Sequence, residues 1–422
     1  MKKAIIIFCI VFSLVFTLGC LGLYLYAESD LRKGNREVES LQEEEDPGKV
    51  SAEDSDELAV IEDSAAREET ERLEEEEAET DADATEEEPS DLETIETDAA
   101  KEPVTMVFTG DICFHDPFAN MASYRQRGSD IEKCIDSYLL TEMREADFCV
   151  VNNEFPYSNR GTPAAGKTYT FRSKPENVKI MNEIGVDVAS VANNHAFDHG
   201  EDAFLDTLDI LKEAGIASVG GGRNIEEAAA PVILEKGGMK IGIIAATQIE
   251  RTGSPETRGA TDTLPGVMRS FSEAEQARFL EAAKSARQQC DFLIAFVHWG
   301  SENTDVLDSW QTGQAAALAE CGVDLIVGAH PHCLQGLGQC GGVPVIYSLG
   351  NYWFNSKRVD TALLKVVIED GSLTGVQMIP ALQHDCRTDH LEGAEKQRII
   401  DYLNSISRDG ISLDAEGYLV GV

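Results

Sequence analysis

The chain has 422 residues and a formal net charge of −41, from 76 acidic against 35 basic side chains. A balance so far to the negative side excludes a nucleic-acid-binding surface, which needs a basic footprint to neutralise phosphates. Its ten cysteines do not fall at zinc-finger spacing.

Lys2 and Lys3 precede an apolar run from Ala4 to Ala27 that contains no charged residue. Crossing a bilayer as a helix takes about 20 residues, whereas the apolar part of a cleaved signal peptide runs to about 15 at most. Thr17-Leu18-Gly19-Cys20 is similar to a lipoprotein cleavage box, yet the apolar run continues past it. We therefore expect an uncleaved, single-pass anchor at 1–27, with the leading lysines in the cytoplasm and the rest of the chain outside.

Residues 28–102 hold 32 acidic against 7 basic side chains, a net of −25, and no aromatic residue. Such a segment cannot bury enough apolar surface to offset its ordering entropy, and it repels itself into a disordered, extended linker. It serves as a solvated spacer or holds cations and keeps the domain off an anionic surface. Residues 103–422 are then the globular part, at the upper end of what one core supports.

Within that part, apolar runs predict strands at 104–109, 148–151, 186–192, 216–219, 241–246, 292–297, 323–327 and 345–349. A hairpin of 362–368 and 373–379 is expected around Asp370-Gly371. Phe204, Leu205, Leu208 and Leu211 repeat at helical spacing after Gly200 and close near Gly215. Further helices are expected at 271–289, 310–321 and 392–406, the last on the outside. Residues 251–270 are polar and rich in Gly, Thr and Pro, which reads as a loop over the site. Gly220-Gly221-Gly222 lacks the Lys-Ser/Thr of a phosphate loop. Strand alternating with helix indicates an α/β fold. Cys113, Cys149 and Cys290 lie in or beside strands as buried thiols, while Cys333 and Cys340 flank one loop and could bridge outside the cell.

The strand ends carry the chemistry, as the carboxyl ends of open α/β sheets do. They deliver Asp111, then Asn152-Asn153-Glu154, then Asn193-Asn194-His195 with Asp198-His199 beyond. Later ones deliver His298 with Glu302 beyond, His330-Pro331-His332, and Gly350-Asn351. Five of the eight histidines follow directly on predicted strand ends, and His115 follows another by a few residues. Pro331 fixes its own φ and restricts the residue before it, which holds the imidazole pair stiffly. That crowding argues for one shared metal site. Mixed carboxylate, amide and imidazole donors suit one or two ions of Mn, Fe or Zn better than Ca. Trp299 and Glu302 are expected to line the pocket, Glu302 as a partner of His298. His384 and His390, in a polar stretch, read as surface. No placement for a covalent nucleophile is evident.

The order Gly110-Asp111, Asn152-x-Glu154, Asn193-Asn194-His195-x-x-Asp198-x-Gly200, His298-Trp299-Gly300-x-Glu302, His330-Pro331-His332 and Tyr347-Ser348-Leu349-Gly350-Asn351 resembles the CapA family. These are capsule and poly-γ-glutamate synthesis proteins, a branch of the calcineurin-like metallophosphoesterases, and the match runs over about 104–354. The resemblance implies a four-layer α/β/β/α metallophosphatase-like sandwich with metal ligands on loops at one edge. It implies Asp111, Glu154, Asn194, His298, His330 and His332 as ligands of a divalent metal, and His195 as the catalytic histidine that meets the substrate. Asn152, Asp198, His199, Glu302 and Asn351 are candidates to support the ligands or touch the substrate. The wider phosphoesterase pattern is Asp-x-His in the first motif, where this chain has Cys113, and Gly-Asp in the second, where it has Asn-x-Glu. Ala329 stands where the family often has His.

The function implied is that of a protein anchored in the bacterial cell membrane with its C-terminal domain extracellular. It hydrolyses a phosphoester or polymer amide, with a capsule polymer or its precursor as partner. The alternative is a non-catalytic subunit of a membrane synthesis or export complex that guides an anionic polymer. A third reading has the metal simply pinning the loops.

Overall fold

The computed structural model describes residues 102–250 and 257–421. The apolar run at 4–27, the acidic segment up to residue 101 and residues 251–256 of the expected loop lie outside them. Among the described residues no helix is long and apolar enough to cross a membrane.

Strand β1 (Val104–Ile112) is followed by helices α1 (Ala119–Gln126) and α2 (Ser137–Glu145), then by β2 (Phe148–Asn153). Helix α3 (Lys179–Ile184) leads to β3 (Val188–Ser190), and α4 (Glu201–Glu213) to β4 (Ala217–Val219). The two-residue β5 (Gly221–Gly222) and α5 (Ile225–Ala229) come next, then β6 (Val232–Lys236), β7 (Met239–Thr247) and β8 (Gly266–Val267). Helix α6 (Glu273–Arg287), β9 (Phe292–His298), α7 (Ser309–Glu320) and β10 (Leu325–Ala329) alternate. Then come β11 (Leu334–Cys340), β12 (Val343–Leu349), β13 (Asn351–Trp353) and β14 (Val359–Glu369). The chain continues through β15 (Ser372–His384), β16 (Arg387–His390) and α8 (Gly393–Ile406).

One sheet has the order β16-β15-β14-β1-β2-β3-β4, with β13 also paired to β1; the other has the order β11-β12-β10-β9-β7-β6. Strands β1 to β4 run parallel, and so do β7, β9, β10 and β12, while the other strands on these paths pair antiparallel.

The period-two alternation of a strand sorts its side chains between two faces. Met106 and Phe108 of β1, with Ile294 and Phe296 of β9, fill a core between the two sheets. The rings of Phe108 and Phe296 meet edge-on there at 6.1 Å; burying such a side chain contributes about 1.5–3 kcal/mol. Val107, Cys149 and Val151 face the other way, against Met121, Leu139, Ile180 and Phe204 of α1 to α4. Leu293, Ala295 and Val297 pack against Phe279, Ala283, Ala315 and Leu318 of α6 and α7. The result is helix, sheet, sheet, helix. Strands buried on both faces read as unbroken apolar runs, which is why the central ones stand out in the sequence.

Three expectations change. Helix α8 is not wholly outside: Ile399, Ile400 and Leu403 on one face join the core between the sheets, packed beside β11 and β15, while its other face stays exposed. Residues 257–270 are not all loop, since β8 pairs with β5. Cys333 and Cys340 carry free thiols.

Candidate metal centre

Asp111 lies near the end of β1, flanked in register by Asn152 of β2 and Asn351 of β13. Its N–H donates to the Gly350 carbonyl at 2.9 Å. A Cβ at Gly110 would stand 1.8 Å from that same oxygen, so only glycine lets the two strands close around the aspartate. Glu154 follows β2, Asn194 and His195 follow β3, His298 ends β9, and His330 and His332 follow β10. Ahead of a proline, extended backbone is the rule. His330 instead takes φ +99° and His332 φ +57°, conformations that cost roughly 1–3 kcal/mol each when a non-glycine residue holds them. The Asp111 carboxylate helps hold this turn, accepting from the His330 N–H at 3.2 and 3.3 Å.

A hydrogen-bond lattice fixes the rest. Asn152 Nδ2 donates to Asp111 Oδ1 at 2.7 Å and approaches His298 Nδ1 at 3.2 Å. His298 Nε2 lies 2.9 Å from Asn194 Oδ1 and 3.1 Å from His330 Nδ1. His332 Nδ1 lies 3.1 Å from Asp111 Oδ2 and 2.8 Å from Asn351 Oδ1. Asn193 braces the frame by donating to the Asn153 carbonyl at 2.9 Å and accepting from the His195 N–H at 3.1 Å.

Glu154 is the exception. It is 0% exposed, and neither carboxylate oxygen has a hydrogen-bond partner. Its Oε1 stands 3.8, 3.7 and 3.8 Å from the Nε2 atoms of His195, His298 and His332. A buried carboxylate left without a partner is costly, and one ringed by imidazole nitrogens is the arrangement a divalent cation satisfies. Burial first, then the Asp111 and Glu302 carboxylates, push the Glu154 carboxyl well above the ordinary range. Burial first, then His330 beside His298 and His332 beside His330, hold both imidazoles well below the usual value, which favours them as neutral donors. Burial lowers His332 too, but the hydrogen bond and charge of Asp111 outweigh it and raise it. Three ligand triads result, each with its donor atoms within 4.8 Å of one another: Glu154/His298/His330, Asp111/Glu154/His332 and Glu302/His330/His332. The residues present fit a metal.

His195 is set apart from the lattice. Its Nδ1 lies 2.7 Å from Asp198 Oδ2, and its ring stacks on Phe171 at 4.1 Å. Asp198 also accepts from the Phe171 N–H and from Lys167 Nζ, each at 2.6 Å. Burial would raise the Asp198 carboxyl, but His195 and Lys167 hold it below the ordinary value. Asp198 therefore stays a carboxylate, Nδ1 of His195 carries the proton, and Nε2 faces Glu154. Lys167 and Phe171 carry no sequence signal, because they sit in an aperiodic stretch between β2 and α3.

A cleft of about 560 Å³ opens from Asn194 and His330 and is lined also by Gln248, Glu250, Phe271, Glu302, Asp308 and Trp310. Trp299 is fully buried in the helix-side core, its indole N–H bonded to the Tyr347 carbonyl at 2.9 Å, and does not line it. Glu302 sits with His330 and His332. His199 borders Arg172 and His115, and burial first, then Arg172, lowers it to about 4. His115 belongs to an aromatic group with Phe118 and Phe171. His384 and His390 lie on the β15–β16 pair, where His384 bonds Asp389 and His390 stacks on Tyr138.

The chain is similar to known proteins of capsule and polyglutamate synthesis. The family described as bacterial capsule synthesis protein PGA_cap matches residues 105–356. The PGA biosynthesis protein CapA of Bacillus subtilis (strain 168) is 27% identical over 265 residues, 62% of this chain and 67% of its own length. The capsule biosynthesis protein CapA of Bacillus anthracis is 27% identical over 286 residues, 66% of this chain and 67% of its own. A probable polyglutamine synthesis accessory protein of Mycobacterium tuberculosis is 26% identical over 287 residues, 65% of this chain and 76% of its own. With the family matched across well over half of its residues, this chain belongs to the bacterial capsule synthesis proteins of the PGA_cap family.

Proposed function

We propose that this chain is a metal-dependent hydrolase of the metallophosphatase type. It acts at the bacterial cell surface on a phosphoester or amide of a capsule polymer or its precursor, tethered through its N-terminal apolar run. The observation that carries the reading is Glu154, whose two buried oxygens find no partner while imidazoles surround them. Glu154, His298, His330 and His332, with Asp111 and Asn194 beside them, would hold the ion. A divalent cation there supplies Lewis acidity toward a phosphoryl or carbonyl oxygen.

The protein's own share is proton handling and positioning. Asp198 fixes the tautomer of His195, and Phe171 fixes its plane. The bare Nε2 can take a proton from the attacking water and return it to the leaving oxygen or nitrogen. Burial lowers the basicity of this imidazole, so it releases the proton readily.

The test loads the purified full-length chain with Mn²⁺ or Zn²⁺ and offers a phosphodiester and poly-γ-glutamate. Turnover that falls at least 100-fold in His195→Ala, with metal content unchanged, is the expected result. A second reading, a non-catalytic accessory that guides polymer, draws on the printed name of the mycobacterial relative. Tight metal without turnover on either substrate would favour it, and a chain that binds no metal would overturn both.

A further inference from the structure

We propose that the outer part of the cleft, around Trp310, is a subsite for an uncharged saccharide unit of the substrate. The proposal rests on the reading above that this cleft leads to the metal centre, and it names the chemical class accepted beyond that centre.

The three tryptophans are placed differently. Trp299 and Trp353 are fully buried, whereas Trp310 is 45% exposed and stands on the cleft wall. It packs in none of the three cores described above; α7 gives Ala315 and Leu318 to the helix-side core instead. Its backbone is nonetheless fixed. Asp308 accepts from the Gln311 N–H at 2.9 Å, Gln311 Oε1 accepts from the Asp308 N–H at 3.1 Å, and Gln311 Nε2 donates to Gln335 at 2.8 Å. A large apolar ring held out at a pocket wall is a flat surface on which the C–H face of a pyranose can lie.

The polar groups say which kind of ligand suits that surface. Glu250, Glu302 and Asp308 line the cleft, and among the described residues no Lys or Arg does. Arg269, beside Phe271, is already paired with Glu250 and Glu275 at 3.0 Å each. An anionic chain laid along this wall would bring like charges together, while sugar hydroxyls can donate to carboxylates, which only accept. Gln248 is an independent sign of a missing partner. It lines the cleft, is only 8% exposed, and its Oε1 has no hydrogen bond. A lysine-rich chain also suits the carboxylates, but its ammonium groups only donate, whereas the Ser301 hydroxyl and the Gln248 amide on the same wall present donors too. Hydroxyls, which do both, meet the whole set.

The test is titration calorimetry on the purified full-length chain in chelator, so that no metal recruits an anion. It compares tetramers of β-1,4-linked N-acetylglucosamine, β-1,4-linked glucose, γ-linked glutamate and lysine. At least one saccharide is expected to bind more tightly than either charged tetramer and to shift the tryptophan fluorescence to shorter wavelength. Trp310→Ala, an exposed substitution, should weaken saccharide binding roughly 5–10-fold and abolish that shift, with Trp310→Phe recovering part of the affinity. Saccharide affinity unchanged in Trp310→Ala, or a charged tetramer binding more tightly than both saccharides, overturns the subsite. Binding of neither saccharide overturns it as well, and turnover of a phosphodiester by the Mn²⁺-loaded chain would then leave the hydrolase reading standing. Saccharide binding that depends on Trp310, without turnover of a phosphodiester or poly-γ-glutamate, keeps the subsite and removes the hydrolase reading instead.

Discussion

The two sheets meet at the candidate site with different chemistry. The sheet of β1 to β3 brings oxygen donors: Asp111, Asn152, Glu154 and Asn194. The sheet of β9 and β10 brings nitrogen donors: His298, His330 and His332. Most of the oxygen side is already hydrogen-bonded across the seam, to His298, to the His330 N–H and to His332. Glu154 alone is left over among the oxygen donors, and a cation there would act as a rivet between the sheets.

The comparison can be broken from the core outward. Phe296→Ala removes the ring that meets Phe108 between the sheets and should cost about 3–5 kcal/mol in urea denaturation, with Mn²⁺ affinity falling alongside. Affinity that survives the loss would mean the seam does not depend on this packing. Asp198→Ala leaves the buried Lys167 ammonium (9% exposed) without its carboxylate and should cost about 3 kcal/mol, with less effect on metal content than on the His195 environment seen by NMR. Chelation should lower stability by about 2.7 kcal/mol relative to protein held at a hundredfold excess of Mn²⁺ over its dissociation constant; equal melting temperatures would argue against the rivet. Glu154→Leu should erase that difference, and in chelator it should be about 1 kcal/mol more stable than wild type, because the orphaned carboxylate is gone. Asn351→Ala sharpens rather than breaks the seam. His332 keeps Asp111, so affinity should fall only a few-fold, about 1 kcal/mol.

Much of this arrangement is legible in residue order, for a physical reason. Parallel strands covered on both faces must be apolar throughout, so a polar residue after such a run marks the end where loops and ligands gather. Asp111, Glu154, Asn194, His298 and His330 are all found that way. Strand β11 is not, because Gly336 and Gly338 interrupt its pattern. A Cβ at Gly336 would stand 2.2 Å from the Ile406 carbonyl, so the close approach of α8 requires the residue that hides the strand. Lys167 and Phe171 are invisible because their partners, Asp198 and His195, are tertiary contacts from an aperiodic stretch. The placement of Glu302 with His330 and His332 rests on two loops that meet only in the fold, where the Asn303 N–H donates to the Pro331 carbonyl at 2.8 Å, which spacing cannot reveal.

The hydrogen bond between His332 and Asp111 joins residues 221 positions apart. During synthesis the first donor therefore emerges long before the last, and no nascent fragment ending short of His330 owns any of the three triads. A capsule-synthesis protein built this way would acquire its ion only after both halves have been made and have closed.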